Sequence, residues 1–416
     1  MTSFLNAATF LPSKLSATFL LGFRSKTKAA TAGCGVVRVP ASLTSKTNSP
    51  AIDIYYPALT PDHSSPESLP LKWLPSYENG SKWGDFLNIS ETLVGVFTYS
   101  VFSKQNISAA NNAKLSTSNN DNHLLPVIIF SHGLASWGSH YSAMCQLLAR
   151  SGCVVLAPDH TDGSATRARM GTSREEEPLY YEKVGHESKE KQREIRARQL
   201  RKRVADCEDV FAFSKALNEG SLFDKDGDTS DTLDSSEFRA LRSFVGKLDT
   251  TSFVAAGHSF GGGTSIAVAI GKSEGCKGAI AFDPWMIPVK DAEILNNGMA
   301  GNDTPILAIT ADTGSMSDNE YWRNNISLLA QISNTTTLRF RGMTHIDIAD
   351  VPLLLPRIMS RKHSCDAYFL RHGLEIRKFL KEKVGERFGD FGLDLDDDDE
   401  NERVVGESFV QREPPF

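Results

Sequence analysis

No run of about eighteen apolar residues, the shortest stretch typical of a transmembrane helix, occurs in the sequence, so we predict no membrane-spanning helix. Basic residues are not in excess either, since 45 Lys and Arg stand against 51 Asp and Glu, for a net charge of -6. That balance argues against a nucleic-acid-binding protein, because a phosphate backbone calls for a basic surface. The 416 residues, 40% of them hydrophobic, can bury one large core or two modest ones.

Cysteine is scarce, with six residues scattered along the chain and no C-x-x-C pair. This spacing predicts neither a disulfide framework nor a zinc site. We therefore expect buried free thiols, which pack as small apolar side chains.

The two ends of the chain differ in charge from its middle. No acidic residue precedes Asp53, and residues 1–32 combine four basic residues with many Ser and Thr. This composition is typical of an organelle transit peptide, an irregular secretory signal or a disordered terminus, so cytoplasm, organelle and secretion all stay open. Residues 389–416 are rich in acid and predict a solvated, disordered tail.

Between the ends, from residue 33 to residue 388, short apolar runs alternate with helical patterns. Buried strands are predicted at 126–133, 153–158, 251–257, 278–283, 305–310 and 335–340. Helices are predicted at 140–152 and from about 187 to 217, and "AIDIYYP" (51–57) is typical of an edge strand that Pro57 closes. This alternation predicts a single α/β domain with a mostly parallel central sheet flanked by helices.

The motif G-H-S-F-G, Gly257 to Gly261, follows the predicted strand at 251–257 and precedes another apolar run. A serine on a sharp strand-to-helix turn is the nucleophile elbow of serine hydrolases, where glycines let the strand and helix backbones approach closely. We predict Ser259 as the nucleophile. The alternative is a glycine-rich turn whose serine only caps the helix.

An active serine needs a base, and the base needs an acid that orients it, in the chain order Ser, Asp or Glu, His. The histidines after Ser259 are His345, His363 and His372. We predict His345 as the base because it follows the last predicted strand, whereas the other two lie in charged surroundings typical of a surface.

Two aspartates could orient this histidine. Asp283 ends the strand after the elbow, and Asp312 follows the next strand. Asp283 stands before Pro284, as a helix N-cap often does, so chain order alone favours Asp312. An oxyanion would need two N–H donors, which we expect at Phe260, directly after the nucleophile, and at Leu134 in "IIFSHGLASWG".

Four segments together resemble the platelet-activating-factor acetylhydrolases, the group VII phospholipases A2. They are "IIFSHGLASWGSHYSAMCQLLARSGCVVLAPDHTDGSA", "VAAGHSFGGGTS", "GAIAFDPWMIP" and "GMTHIDIADV", and the similarity extends from about Gly33 to about residue 380. The resemblance implies an α/β-hydrolase fold that needs no metal or cofactor. It implies hydrolysis of the sn-2 ester of phospholipids that carry short (acetyl) or oxidised acyl chains.

The resemblance also implies site residues. The triad acid of that family is the Asp of D-x-W-M, which moves the prediction from Asp312 to Asp283, and the oxyanion hole falls on the amides of Leu134 and Phe260. The chain departs from the family at Pro284, where Ala is usual, and at Thr161, where Arg is usual. These departures leave the acyl-chain preference open.

An acidic stretch before the nucleophile strand, "DKDGDTSDTLDSSEF" (224–238), resembles an EF-hand calcium loop. Thr229, Ser230 and Asp231 stand where one glycine would be needed, which breaks the ligand register. We therefore predict an acidic insert and no metal site. A calcium-responsive lipid-binding protein is the rival function, and a broader carboxylesterase or polyester hydrolase is the rival activity.

A phospholipid enzyme also has to reach a membrane or lipid particle. "ETLVGVFTYSVF" (91–102) and "VPLLLPRIM" (351–359) are either core segments or surfaces that rest on lipid, with Leu93, Phe97 and Leu354 as the expected contacts. The charged stretch 187–203 predicts a solvated helix face. Oligomeric state stays open.

Overall fold

The computed structural model describes residues 33–44, 49–58, 70–116, 124–169, 178–223, 235–295, 302–311, 320–354, 365–385 and 410–412. The N-terminal segment 1–32, the acidic stretch 224–234 and Asp312 lie outside the described residues. In the described part, no helix is long and apolar enough to cross a bilayer.

The strands form one large sheet and one two-stranded sheet. They are β1 (Gly33–Val39), β2 (Ile52–Ala58), β3 (Ala110–Asn111), β4 (Leu125–Ser131), β5 (Val154–Pro158), β6 (Arg167–Ala168), β7 (Leu179–Tyr180), β8 (Leu248–His258), β9 (Cys276–Phe282), β10 (Ile306–Ala311), β11 (Thr335–Phe340) and β12 (Val410–Arg412). The large sheet has the order β12-β11-β10-β9-β8-β4-β5-β2-β1-β3, and its neighbours from β11 to β5 are all parallel. The predicted mostly parallel central sheet is confirmed.

Helices cover both faces of this sheet. They are α1 (Ala41–Thr44), α2 (Tyr77–Ser81), α3 (Trp83–Leu87), α4 (Glu91–Phe102), α5 (Ser142–Arg150), α6 (Lys189–Glu219), α7 (Ser235–Arg242), α8 (Phe260–Ile270), α9 (Ile287–Asp291), α10 (Glu320–Leu329), α11 (Val351–Leu354) and α12 (Cys365–Phe379). The long helix α6 begins after Ser188, whose hydroxyl caps the Lys191 N–H, and ends at Gly220 in a left-handed conformation.

The sheet separates two apolar cores, and β4 illustrates why its sequence is apolar throughout. Ile128 and Phe130 pack into one core, whereas Val127 and Ile129 pack into a second core on the other face. A strand covered on both faces has no position for an exposed side chain, so its sequence cannot alternate. Such runs are the strongest fold signal in this chain.

Two strands of the large sheet, β2 and β12, differ from the sequence predictions. The strand with Pro57 is not an edge: β2 lies between β5 and β1, and Pro57 is paired with Cys34 inside it. Val410–Arg412, in the predicted tail, pair antiparallel with β11 instead of extending into solvent.

The described cysteines are free, as expected. Cys34, Cys145, Cys153 and Cys207 are buried, and Cys276 is partly buried. Burial raises the pKa of the Cys34, Cys153 and Cys207 thiols to about 12, so they remain protonated and pack as apolar groups.

Candidate active site

Ser259 lies on the sharp turn between β8 and α8, at the carboxyl edge of the sheet's central strands. Its φ of 57° is in the left-handed region, which is uncommon for a residue with a side chain. A Cβ on Gly257 would lie 2.6 Å from the Ser131 carbonyl oxygen, and a Cβ on Gly261 would overlap the same atom. The crowding predicted at both glycines is confirmed. The hydroxyl makes no capping bond to α8, which argues against the capping alternative.

Three predicted side chains meet at this edge. His345 Nε2 lies 3.0 Å from Ser259 Oγ, and His345 Nδ1 lies 2.6 Å from Asp283 Oδ2. Because a carboxylate only accepts, the proton of a neutral His345 lies on Nδ1. Nε2 is then free to accept the proton of the serine hydroxyl.

Asp283 follows β9 and is held by the neighbouring strand. Its own N–H donates to Ile309 O at 2.6 Å, and its Oδ1 accepts from the Ala311 N–H at 3.1 Å. The side chain is buried, with 8% exposed. Helix α9 begins only at Ile287, so Asp283 does not cap a helix and the N-cap interpretation is wrong. The rival acid, Asp312, lies outside the described residues.

His345 opens a single 3₁₀ turn after β11, His345–Ile348. A capping box fixes this turn, since Asp347 Oδ2 accepts from both the N–H and the hydroxyl of Thr344. The prediction that His372 lies on the surface is wrong. It is fully buried against Phe282 and Phe340, and burial lowers its pKa to about 3.

His258 and Tyr141 complete the site and were not foreseen from the sequence. The His258 ring lies 4.6 Å from that of His345, and its Nδ1 lies 2.9 Å from the Tyr141 hydroxyl. That hydroxyl accepts from the Gly133 N–H, so its own proton points to His258 Nδ1. Burial, with the nearby His345, holds the pKa of His258 well below its usual range. A neutral His258 ring therefore packs beside the predicted base. The position of His258 directly before Ser259 was its only signal in the sequence.

The two amides predicted for the oxyanion lie on different elements, Leu134 in the loop after β4 and Phe260 at the start of α8. The Gly133 N–H donates to Tyr141 at 3.1 Å, and the Ala135 N–H donates to Ser164 O at 2.8 Å. No described residue accepts from the N–H of Leu134 or from that of Phe260, the first residue of α8. These two amides remain available to an oxygen of a ligand.

The helix α6 is more than the solvated face predicted from its charges. Arg196 and Arg203, seven residues apart and therefore on the same helix face, are 5% and 0% exposed. Arg196 donates to Gln199 Oε1 and to the Tyr181 hydroxyl. Most other charged residues of 187–203 are exposed, as predicted. The two buried arginines were missed because a lysine- and arginine-rich pattern does not reveal which charged residues have buried partners.

A groove of about 1010 Å³ opens beside the site. Leu134 and Trp285 line it, so it reaches the predicted oxyanion loop. Apolar walls come from Phe86, Ile287, Pro288 and Leu328. Charged side chains come from Lys183, Lys189, Arg193, Arg196 and Lys290, and from Asp85 and Asp291, which pair with Lys183 and Arg193. This mixture suits an amphiphilic ligand. Within the described ranges, no group of three His, Cys, Asp or Glu side chains could hold a metal ion.

Comparisons with known proteins agree on one family. The family model described as platelet-activating factor acetylhydrolase, isoform II, matches residues 22–370. The platelet-activating factor acetylhydrolase of Gallus gallus is 27% identical over 327 residues, 74% of this chain and 70% of that protein. The one of Cavia porcellus is 31% identical over 251 residues, 57% of this chain and 50% of that protein. A putative phospholipase A2 of Schizosaccharomyces pombe is 25% identical over 289 residues, 60% of this chain and 65% of that protein.

Among solved structures, Est1E from Butyrivibrio proteoclasticus aligns with 64% of this chain and 91% of its own, at 15% identity and a TM-score of 0.36.

Proposed function

The chain belongs to the platelet-activating factor acetylhydrolase family, and we propose that it is a calcium-independent serine esterase that cleaves the sn-2 ester of phospholipids with short or oxidised acyl chains. Family membership makes it a hydrolase acting on ester bonds. The finer proposal rests on the two contacts of His345, at 3.0 Å from Nε2 to Ser259 Oγ and at 2.6 Å from Nδ1 to Asp283 Oδ2. The elbow on a central parallel strand and the order Ser, Asp, His are those of α/β-hydrolases.

The proposed reaction has two halves. His345 Nε2 takes the hydroxyl proton as Ser259 Oγ attacks the sn-2 carbonyl carbon, and the carbonyl oxygen becomes an oxyanion facing the amides of Leu134 and Phe260. The ester C–O bond then breaks, the lysophospholipid oxygen takes the proton from His345, and the acyl group stays on Ser259. Water next gives its proton to His345 and attacks the acyl-enzyme, which releases the carboxylic acid and the free serine.

Asp283 contributes by orientation and charge. Its buried carboxylate accepts from His345 Nδ1, so it holds the ring and stabilises the imidazolium that forms when Nε2 gains the serine proton. The neutral His258 ring packs beside this imidazolium without adding a second positive charge.

The proposed preference for short acyl chains follows from lipid extraction. Pulling a lipid out of a bilayer exposes its chains to water at about 0.8 kcal/mol per CH₂. Shortening the sn-2 chain from sixteen carbons to two removes about fourteen such groups from that penalty. The triad cannot impose this selectivity, because ester reactivity hardly changes with chain length.

We expect kcat/KM on phosphatidylcholines to fall steeply once the sn-2 chain exceeds roughly six to nine carbons, unless its far end is oxidised and polar. The measurement compares acetyl, hexanoyl and palmitoyl substrates in dispersed micelles. Equal turnover of acetyl and palmitoyl lipids would contradict the proposal and favour the broader carboxylesterase.

The same assay, run with EDTA and with millimolar calcium, tests the rival in which residues 224–237 bind calcium. We expect equal rates and equal thermal midpoints in both buffers. A rise of several degrees with calcium would support the rival, because a ligand that binds only the folded state stabilises it.

The proposed lipid contact lies on α4. Leu93 and Phe97 are 69% and 45% exposed, with Val96 and Tyr99 also exposed on this helix. Such an apolar cluster is unusual on a surface that meets only water, and it suits the headgroup boundary of a membrane or lipid particle. Leu354 is half-buried against the core, so its part in lipid contact stays a prediction.

Serine at both Leu93 and Phe97 should weaken binding to phosphatidylcholine liposomes about tenfold or more, because two apolar side chains no longer leave water. Hydrolysis of a water-soluble acetate ester should be unchanged. Val245→Ser, an exposed apolar residue just before β8 and therefore away from Ser259, is the matched control. Equal liposome binding by the double variant and the control would refute this contact surface.

A further inference from the structure

We propose that Arg203 is a positioning residue that holds the oxyanion loop in its active shape, an inference that rests on the proposed esterase and on Leu134 and Phe260 as its oxyanion donors. Arg203 reaches from α6 to the backbone of the loop after β4. It touches neither the triad nor any group that reacts. Its proposed effect passes through the peptide groups it contacts.

The Arg203 side chain is completely buried and fully occupied. It donates to the His132 carbonyl at 2.5 Å, to Ser164 Oγ at 2.6 and 3.0 Å, and to Asp162 Oδ2 at 3.0 Å. Its guanidinium also lies 4.4 Å from the centre of the Phe260 ring. One side chain therefore contacts the oxyanion loop and the residue that carries the second predicted donor.

The orientation of the Gly133–Leu134 peptide group links these Arg203 contacts to the oxyanion donor. The Gly133 carbonyl and the Leu134 N–H belong to the same planar trans peptide, so they point in opposite directions. The Gly133 oxygen lies 2.7 Å from His132 Nδ1 and 3.5 Å from Arg203. Holding the carbonyl towards α6 turns the Leu134 N–H away from α6, to the side where a ligand oxygen can approach.

His132 takes part in the same arrangement. Its Nε2 accepts the backbone N–H of His160 at 3.2 Å, so its proton lies on Nδ1 and points to the Gly133 oxygen. Burial and the Arg203 charge hold the pKa of His132 well below its usual range, which keeps this neutral tautomer. Losing Arg203 would remove the donor to the His132 carbonyl and the cation near the Gly133 oxygen, so the loop backbone before Leu134 would be less constrained.

The positive charge of Arg203 is expected to act on the Gly133–Leu134 peptide in addition to the positioning of that peptide. A cation behind the carbonyl polarises the peptide and makes its N–H a better donor to a developing negative charge, and the burial of Arg203 keeps water from screening this effect. If Arg203 served only the stability of the fold, replacing it together with its ion-pair partner should have little effect on turnover, because a buried ion pair can often be replaced by apolar residues without loss of stability. The two roles can therefore be separated.

The experiment uses a double variant, Arg203→Met with Asp162→Asn, so that no buried carboxylate is left unpaired. Arg203→Lys keeps the charge but loses the planar fork, and Arg201→Met, an exposed arginine of the same helix, is the matched control. On a water-soluble acetate ester, kcat should fall about 10²–10³-fold in the double variant with little change in KM, as when one oxyanion donor is lost. Arg203→Lys should be intermediate, and Arg201→Met should be unchanged.

Two readouts separate positioning from unfolding. Complete titration with an organophosphate counts the active sites that have folded, and kcat is expressed per titrated site. A trifluoromethyl ketone, whose adduct with Ser259 carries an oxyanion, should lose affinity by the same factor as kcat/KM. An unchanged kcat per site, or an unchanged affinity for the ketone, would overturn the proposal.

Discussion

Alanine at Ser259 or at His345 is expected to lower kcat by about 10⁵–10⁶-fold, and the double variant is expected to be little worse than either single variant. The reason is that nucleophile and base act as one unit: without the imidazole the hydroxyl keeps its proton, and without the hydroxyl the base has nothing to activate. The measurement is kcat on a short-chain ester for both single variants and the double.

The control for this pair is His186→Ala, an exposed histidine just before α6, which should keep full activity. Thermal midpoints should confirm that all variants fold. If the losses of the two single variants multiplied in the double variant, Ser259 and His345 would act independently and the proposed mechanism would be wrong.

Asparagine at Asp283 is expected to lower kcat by about 10⁴-fold while leaving the fold intact. The reason lies in the second contact of this carboxylate. The Ala311 N–H donates to Oδ1, so the carbonyl oxygen of an asparagine is favoured there and its NH₂ faces His345 Nδ1. Nδ1 must then accept, the ring proton moves to Nε2, and Nε2 can no longer take the serine proton.

The matching substitution at Asp312, the rival acid, tests whether Asp283 is assigned correctly. Asp312→Asn should leave kcat within a few-fold of the unchanged protein when measured on the same ester. A severe loss with Asp312→Asn and a mild loss with Asp283→Asn would reverse the assignment of the acid.

Much of the fold was predictable because its signals are local. The strands at 126, 153 and 305 are buried along their whole length, because both faces of the sheet are covered there, so their sequences are continuous apolar runs. The strand at 335, TTTLRF, lies nearer the edge of the sheet and is only partly apolar and partly buried. The elbow was predictable for a similar reason, since its glycines are required by backbone crowding within the same turn. For the acid, sequence order alone favoured Asp312 over Asp283, because both aspartates follow strands and Asp283 stands before a proline, as a helix N-cap often does.

The supporting residues were not predictable, because their partners are distant in sequence. Arg203 meets His132 across 71 positions, and Tyr141 meets His258 across 117. Charge patterning placed Arg203 on a solvated helix face and charged neighbours placed His372 at the surface, yet both are buried. Composition records which side chains are polar but not which polar atoms pair after folding.

The left-handed backbone at Ser259 has a consequence for evolution and engineering. A residue with a side chain in such a conformation is disfavoured by about 1–3 kcal/mol, and glycine is the residue that would remove this strain. Stability and turnover are therefore expected to be opposed at position 259, because the substitution that relaxes the turn also deletes the proposed nucleophile. A laboratory selection that rewards only thermal tolerance would drift towards inactive variants here, whereas one that also demands ester hydrolysis would have to raise stability elsewhere in the fold.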